Sequence, residues 1–128
     1  MDGKTRRSTH SRRARGARGE ALAARTLERA GYRVLEQNAH LRHAELDLVA
    51  LDGSTLCFIE VRLRTGDRFG TAEESVDRRK QRRLARAARA WLATRQPPPH
   101  AALRFDVVAI DAGVTPPRVH LLRDAFHL

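Results

Sequence analysis

A chain of 128 residues with 41% hydrophobic residues has room for one domain with a real core; it is neither long enough for several domains nor polar enough to stay unfolded. Its 25 lysines and arginines against 15 aspartates and glutamates leave a formal charge of +10, a field that attracts polyanions and makes nucleic acid the natural partner. No run approaches the roughly 20 apolar residues that span a bilayer, and the single cysteine, Cys57, excludes an internal disulfide and a cysteine zinc cluster.

The N-terminal charges are not followed by the apolar stretch of a secretory signal, so a cytoplasmic location and no membrane partner are expected. Residues 1–15, with Lys4, Arg6, Arg7, Arg12, Arg13 and Arg15, read as a disordered basic arm preceding a domain over 16–128. From Gly16 to Ala30 the pattern turns helical: Ala23, Ala24, Leu27 and Ala30 make an apolar stripe, and Gly31 is placed to end it. Glu20, four residues before Ala24 and seven before Leu27, falls on that buried face and needs a partner there.

Three strand-like runs follow, at Tyr32–Gln37, Glu45–Leu51 and Thr55–Leu63. Asp52-Gly53 between the second and third predicts an antiparallel hairpin. A loop over Thr65–Thr71 leads to a second helix, Ala72–Thr94, with Val76, Lys80, Leu84, Ala87, Ala88 and Trp91 inward. Pro97-Pro98-Pro99 stops it, and strands at Leu103–Ile110 and Arg118–Leu122 complete the chain. The order α-β-β-β-α-β-β predicts a single-domain α/β fold, a mixed sheet flanked by helices.

The hairpin carries the most informative chemistry. Side chains alternate along a strand, so Glu45, Asp47, Val49 and Leu51 are expected on one face, and Leu56, Phe58, Glu60 and Arg62 on one. A two-residue Asp52-Gly53 turn sets Glu45 opposite Glu60 with Asp47 diagonal to it; a four-residue loop also keeps Asp47 and Glu60 together, and a three-residue loop separates them. Crowded carboxylates repel unless a cation joins them, and hard oxygen donors suit magnesium or manganese. Pairing with Arg62, Arg64 or Arg104 is the competing explanation.

These residues carry a resemblance. Arg18-Gly19-Glu20, Gly31-Tyr32, Asn38, Glu45-Leu46-Asp47-Leu48-Val49-Ala50, Phe58-Ile59-Glu60-Val61 and Arg104-Phe105-Asp106-Val107-Val108, in this order, resemble the bacterial YraN family of small predicted endonucleases. The resemblance implies a restriction-endonuclease or Holliday-junction-resolvase-like core. Its signature is an acid on one strand, then acid-any-lysine on the next. Asp47 takes the first place and Glu60 the second, but Arg62 stands where lysine is expected. Arginine stays protonated and cannot act as a general base, although it can bind a phosphate. Lys80, the only lysine beyond Lys4, is the candidate to share that role.

The functional expectation is a metal-dependent endonuclease-like protein acting on DNA. Glu20, Asp47 and Glu60 would hold magnesium or manganese, and Arg62 and Lys80 would orient the phosphate. Arg64, Arg78, Arg79, Arg82, Arg83, Arg86 and Arg89 would contact the nucleic-acid backbone. A non-catalytic binding module on the same fold and a basic protein–protein adaptor are the alternatives, and a homodimer is compatible with the sequence.

Overall fold

A computed structural model of the chain describes residues 18–64 and 76–127. The expected basic arm and the loop at 65–71 lie outside the described residues. Helix α1 includes residues 18–29. It ends as its sequence predicts: Gly31 takes a left-handed φ of +95°, and the Tyr32 and Gly31 amides donate to the Leu27 and Glu28 carbonyls at 2.9 and 3.1 Å. Strands β1 (Arg33–Leu41), β2 (Ala44–Asp52) and β3 (Thr55–Arg64) come next, then helix α2 (Arg78–Thr94) and strands β4 (Ala102–Asp111) and β5 (Arg118–Leu122). The element order is the predicted one.

Helix α2 begins at Arg78, later than the expected Ala72. Asp77 has extended backbone, and its carboxylate accepts from the Lys80 amide at 2.9 Å, so it caps the helix and fixes the start. Apolar periodicity alone runs past such a cap without registering it. At the other end Arg95 leaves the helical region just before the prolines.

The strands form one five-stranded sheet in the order β1-β2-β3-β4-β5. Only β3 and β4 are parallel, and α2 is the crossover that such a pair requires. One face packs on α2 through Leu46, Val49, Phe58, Leu84, Trp91 and Val107. The other packs on α1 through Leu27, Leu48, Cys57, Ile59, Val108 and Ile110. Fully burying a side chain such as Leu27 or Phe58 is worth about 1.5–3 kcal/mol. At its C-terminal end α2 is pinned to β1, where Glu36 accepts from the Trp91 indole at 2.8 Å and from two nitrogens of Arg95.

The structure corrects the register of the β2–β3 hairpin. Gly53 and Ser54 form the turn, so Asp52 faces Thr55, Leu51 faces Leu56 and Val49 faces Phe58. The shift is two residues from the Asp52-Gly53 expectation, so inward faces are preserved, and the same count sets Asp47 rather than Glu45 opposite Glu60. A second correction concerns alternation along β2. Leu46 packs in the α2 layer and Leu48 in the α1 layer, so the strand turns over at Asp47. Asn38, which falls opposite Asp47 on β1, has a φ of +52° and supplies the kink. Glu45 therefore does not share the face of Val49 and Leu51.

Candidate active site

The pairing of β2 with β3 ends at Leu48 and Ile59, while β3 continues on β4 as far as Arg64. The two strands thus part at one end of the sheet, and the gap opens into a cleft of about 510 Å³. Asp47 sits at the point of parting. Its Oδ2 accepts from the Val61 amide at 2.8 Å, replacing a bond of the strand ladder. The count along the two strands sets Glu60, 9% exposed, opposite it, and both acids line the cleft. Burial, then the bond and charge of Glu60, and more weakly the charge of Glu20, push Asp47 well above the usual carboxylate range.

Lys80 comes from the first turn of α2, and its Nζ lies 3.1 Å from Glu60 Oε2. The Asp77 cap fixes that turn, so the same residue that starts the helix sets where the ammonium projects. Arg62, on the Glu60 face of β3, brings Nη1 to 3.9 Å from Glu60 Oε2. Its Nε is buried and has no hydrogen-bond partner among the described residues. A buried orphan of this kind costs free energy, and Arg62 is not among the residues that line the cleft.

Glu20 stands to one side. Burial raises its pKa, a hydrogen bond from Asn38 opposes that, and the charge of Glu45 adds to it. It reaches Asp47 through charge, so the acids form a chain from Glu45 and Glu20 through Asp47 to Glu60 rather than a ring. Among the described residues no three His, Cys, Asp or Glu side chains are grouped to hold a metal ion. Magnesium and manganese take one or two carboxylates and keep several waters, so Asp47 and Glu60 fit such an ion, with Glu20 able to act through water. Bound there, the ion would supply Lewis acidity toward a phosphate and an acidified water.

The helix arginines separate. Arg83 lines the cleft with Lys80, whereas Arg78 and Arg82 open beside Gln81 and His127, and Arg89 borders an apolar groove with Phe105 and Phe126. All six arginines of α2 are exposed, and at about 100° per residue they span an arc of roughly 140°. Arg64, two residues beyond Arg62 on β3, is half-buried and does not line the cleft. The sequence reasoning left out the β1–β2 turn, whose residues 40–45 also line it. An asparagine between strand-like runs is the cue for that turn, because asparagine tolerates the left-handed kink that carries β1 past Gln37 to Leu41.

A second polar cluster lies toward the other end of the sheet. Asp106, 1% exposed, accepts from the Tyr32 hydroxyl at 2.7 Å, from Arg104 Nε at 2.8 Å and Nη2 at 2.9 Å, and from the Asp124 amide at 2.9 Å. Arg104 also reaches Asp52 at 2.7 Å, so this arginine does not neutralise Asp47 or Glu60.

The fold and cleft define a single-domain α/β protein with a half-buried acid pair and a lysine where two strands part. The sequence pattern of uncharacterised protein family UPF0102 matches residues 19–110, and the chain belongs to that family. A UPF0102 protein of Xanthomonas oryzae pv. oryzae is 51% identical over 118 residues, which cover 91% of this chain and 93% of that protein. A relative from Bordetella avium is 49% identical over 90% of this chain and 76% of its own length, and one from Symbiobacterium thermophilum is 46% identical over 88% and 95%. No helix among the described residues is long and apolar enough to cross a membrane.

Proposed function

We propose that this protein binds nucleic acid, DNA in the first instance, and hydrolyses phosphodiester bonds in the cleft between β2 and β3 with magnesium or manganese. The observation that carries the reading is the convergence of Asp47, Glu60 and Lys80 on one cleft, with Lys80 Nζ 3.1 Å from Glu60 Oε2. Setting a half-buried carboxyl against a buried one opposes folding, whereas a cation gains from the pair and would in turn attract a phosphate. Asp47 and Glu60 hold the ion, with Glu20 adding charge nearby. Lys80 balances Glu60 and keeps N–H donors free for a phosphate oxygen. Arg62, with Nη1 3.9 Å from Glu60 Oε2, adds positive charge behind that acid. The ammonium that the family pattern places at Arg62 is thereby supplied from α2. The exposed arginine face of that helix adds backbone contacts without base selectivity.

The test is cleavage of duplex, single-stranded and branched DNA with each metal. Activity is expected in the native chain, lost in Asp47→Ala and Glu60→Ala, and raised by Arg62→Lys. Cleavage that survives both acid variants sinks the site.

A second reading is a binding module without catalysis. It draws on Arg62 and on Glu20, which does not line the cleft, so that two of the three carboxyls expected from the sequence do. DNA binding with no cleavage by either the native chain or Arg62→Lys selects it.

A further inference from the structure

The cleft has two walls. Lys80 and Arg83 stand on the α2 side, and the turn between β1 and β2 stands on the other. Leu41 pairs with Ala44, so Arg42 and His43 form the two-residue tip, and both are exposed. His40 is held on the same wall, its Nδ1 3.3 Å from Glu45 Oε1. The acids Asp47 and Glu60 therefore lie between one arginine on the turn and another on the helix. An acidic floor alone repels a polyanion; arginines on both rims offset that repulsion and leave the floor to the cation.

Resting on the nuclease reading above, we propose that the β1–β2 turn is a substrate-binding element. A polynucleotide backbone crosses the cleft between Arg42 and Arg83, each contacting a phosphate that flanks the one over Asp47 and Glu60. His43, beside Arg42 at the tip, faces the sugar-phosphate chain and adds a hydrogen-bond donor. This turn positions the strand and takes no part in the bond-breaking step. It is a short two-residue connection between paired strands, so it presents its side chains from a rigid base rather than from a long loop.

The experiment measures binding of fluorescently labelled DNA by anisotropy, without divalent metal, so that catalysis has no part in it. Arg42→Glu and Arg83→Glu are compared with Arg33→Glu, an exposed arginine at the far end of β1, roughly 25 Å from the tip along the strand. All three remove the same charge from the molecule. Arg42→Glu and Arg83→Glu are each expected to weaken binding about ten-fold and to lower the salt slope by about one ion, while Arg33→Glu changes little. His43→Cys carrying a thiol-linked photo-crosslinker should join to DNA in the native background, since Cys57 is buried and does not compete for the label. If Arg42→Glu matches Arg33→Glu, or the His43→Cys probe captures no DNA that the protein demonstrably binds, the turn is not a binding element and the nuclease reading stands without it. If the native chain binds no DNA, both fall together.

Discussion

Asp106 and Glu60 lie one register step apart on the parallel pair: Asp106 faces Ile59 across β3 and β4, and Glu60 faces Val107. Both are buried, yet they point to opposite layers and into opposite circumstances. Burial alone pushes Asp106 up, but the donors of Arg104, Tyr32 and the Asp124 amide outweigh it and hold the carboxyl below its ordinary range. On the α2 side Glu60 meets another acid, Asp47, and there burial and like charge act together to raise Asp47. One acid is surrounded by the groups that stabilise its charge. The other is set against a group that opposes it. The first arrangement ties the link between α1 and β1, β2, β4 and the C-terminal turn together; the second leaves an unfavourable interaction in the cleft, where the proposed cation would relieve it.

The largest expected effect tests the satisfied acid. Asp106→Ala removes the acceptor shared by the Tyr32 hydroxyl, the Asp124 amide and two nitrogens of Arg104, leaving Arg104 with Asp52 and the Tyr32 oxygen, and should cost about 3 kcal/mol. Urea denaturation reads this as a lower midpoint at unchanged slope. Tyr32→Phe removes the hydroxyl that donates to Asp106 and accepts from Arg104 Nη2 at 2.9 Å, and should cost about 1–2 kcal/mol. If Asp47→Ala destabilises as much as Asp106→Ala, the contrast between the two acids is wrong.

The two acids should also answer pH with opposite signs. For Asp47 the folded pKa lies above its ordinary value of 3.8, so the folded state holds a proton that the unfolded state has released. Stability attributable to it falls as pH rises from that value toward the shifted one. Asp47→Asn, which keeps an acceptor for the Val61 amide, should therefore stabilise the protein by about 1–2 kcal/mol at about pH 8 and much less at about pH 5. For Asp106 the folded pKa is depressed, so its contribution is present above the ordinary value and is lost as pH falls through the folded one. A pH-independent gain from Asp47→Asn would remove the electrostatic explanation. The smallest effect belongs to the surface: His40→Ala breaks an exposed contact with Glu45 and should change stability by less than about 0.5 kcal/mol, measured by the same denaturation.

The sequence made the acid pair legible for a definite reason. Turns of two or four residues both bring Asp47 and Glu60 to one side, so the pairing survived a register that differs by two residues. The element order was equally legible, because Gly31 ends α1 where expected and the apolar periods change at each turn. What stayed hidden depended on single residues acting against their neighbours. Asn38 turns β1 over and moves Glu45 away from Glu60, which no alternation count reveals. Asp77 cuts the apolar period of α2 short by capping it. Arg104 has the acids of the cleft and those of the other cluster equally available in sequence, and only the strand pairing assigns it to Asp52 and Asp106.

Trp91 has a consequence for measurement. It is the only tryptophan in the chain, is 3% exposed, packs edge-on to Phe58 with ring centroids 5.8 Å apart, and gives its indole proton to Glu36. Phe58 lies two residues before Glu60 on β3, and Trp91 lies eleven residues after Lys80 on α2. The elements that carry Glu60 and Lys80 therefore share a built-in optical probe. Its emission reports whether α2 is seated on the sheet, and thus whether lysine and acid pair are assembled, before any nucleic acid or metal is added.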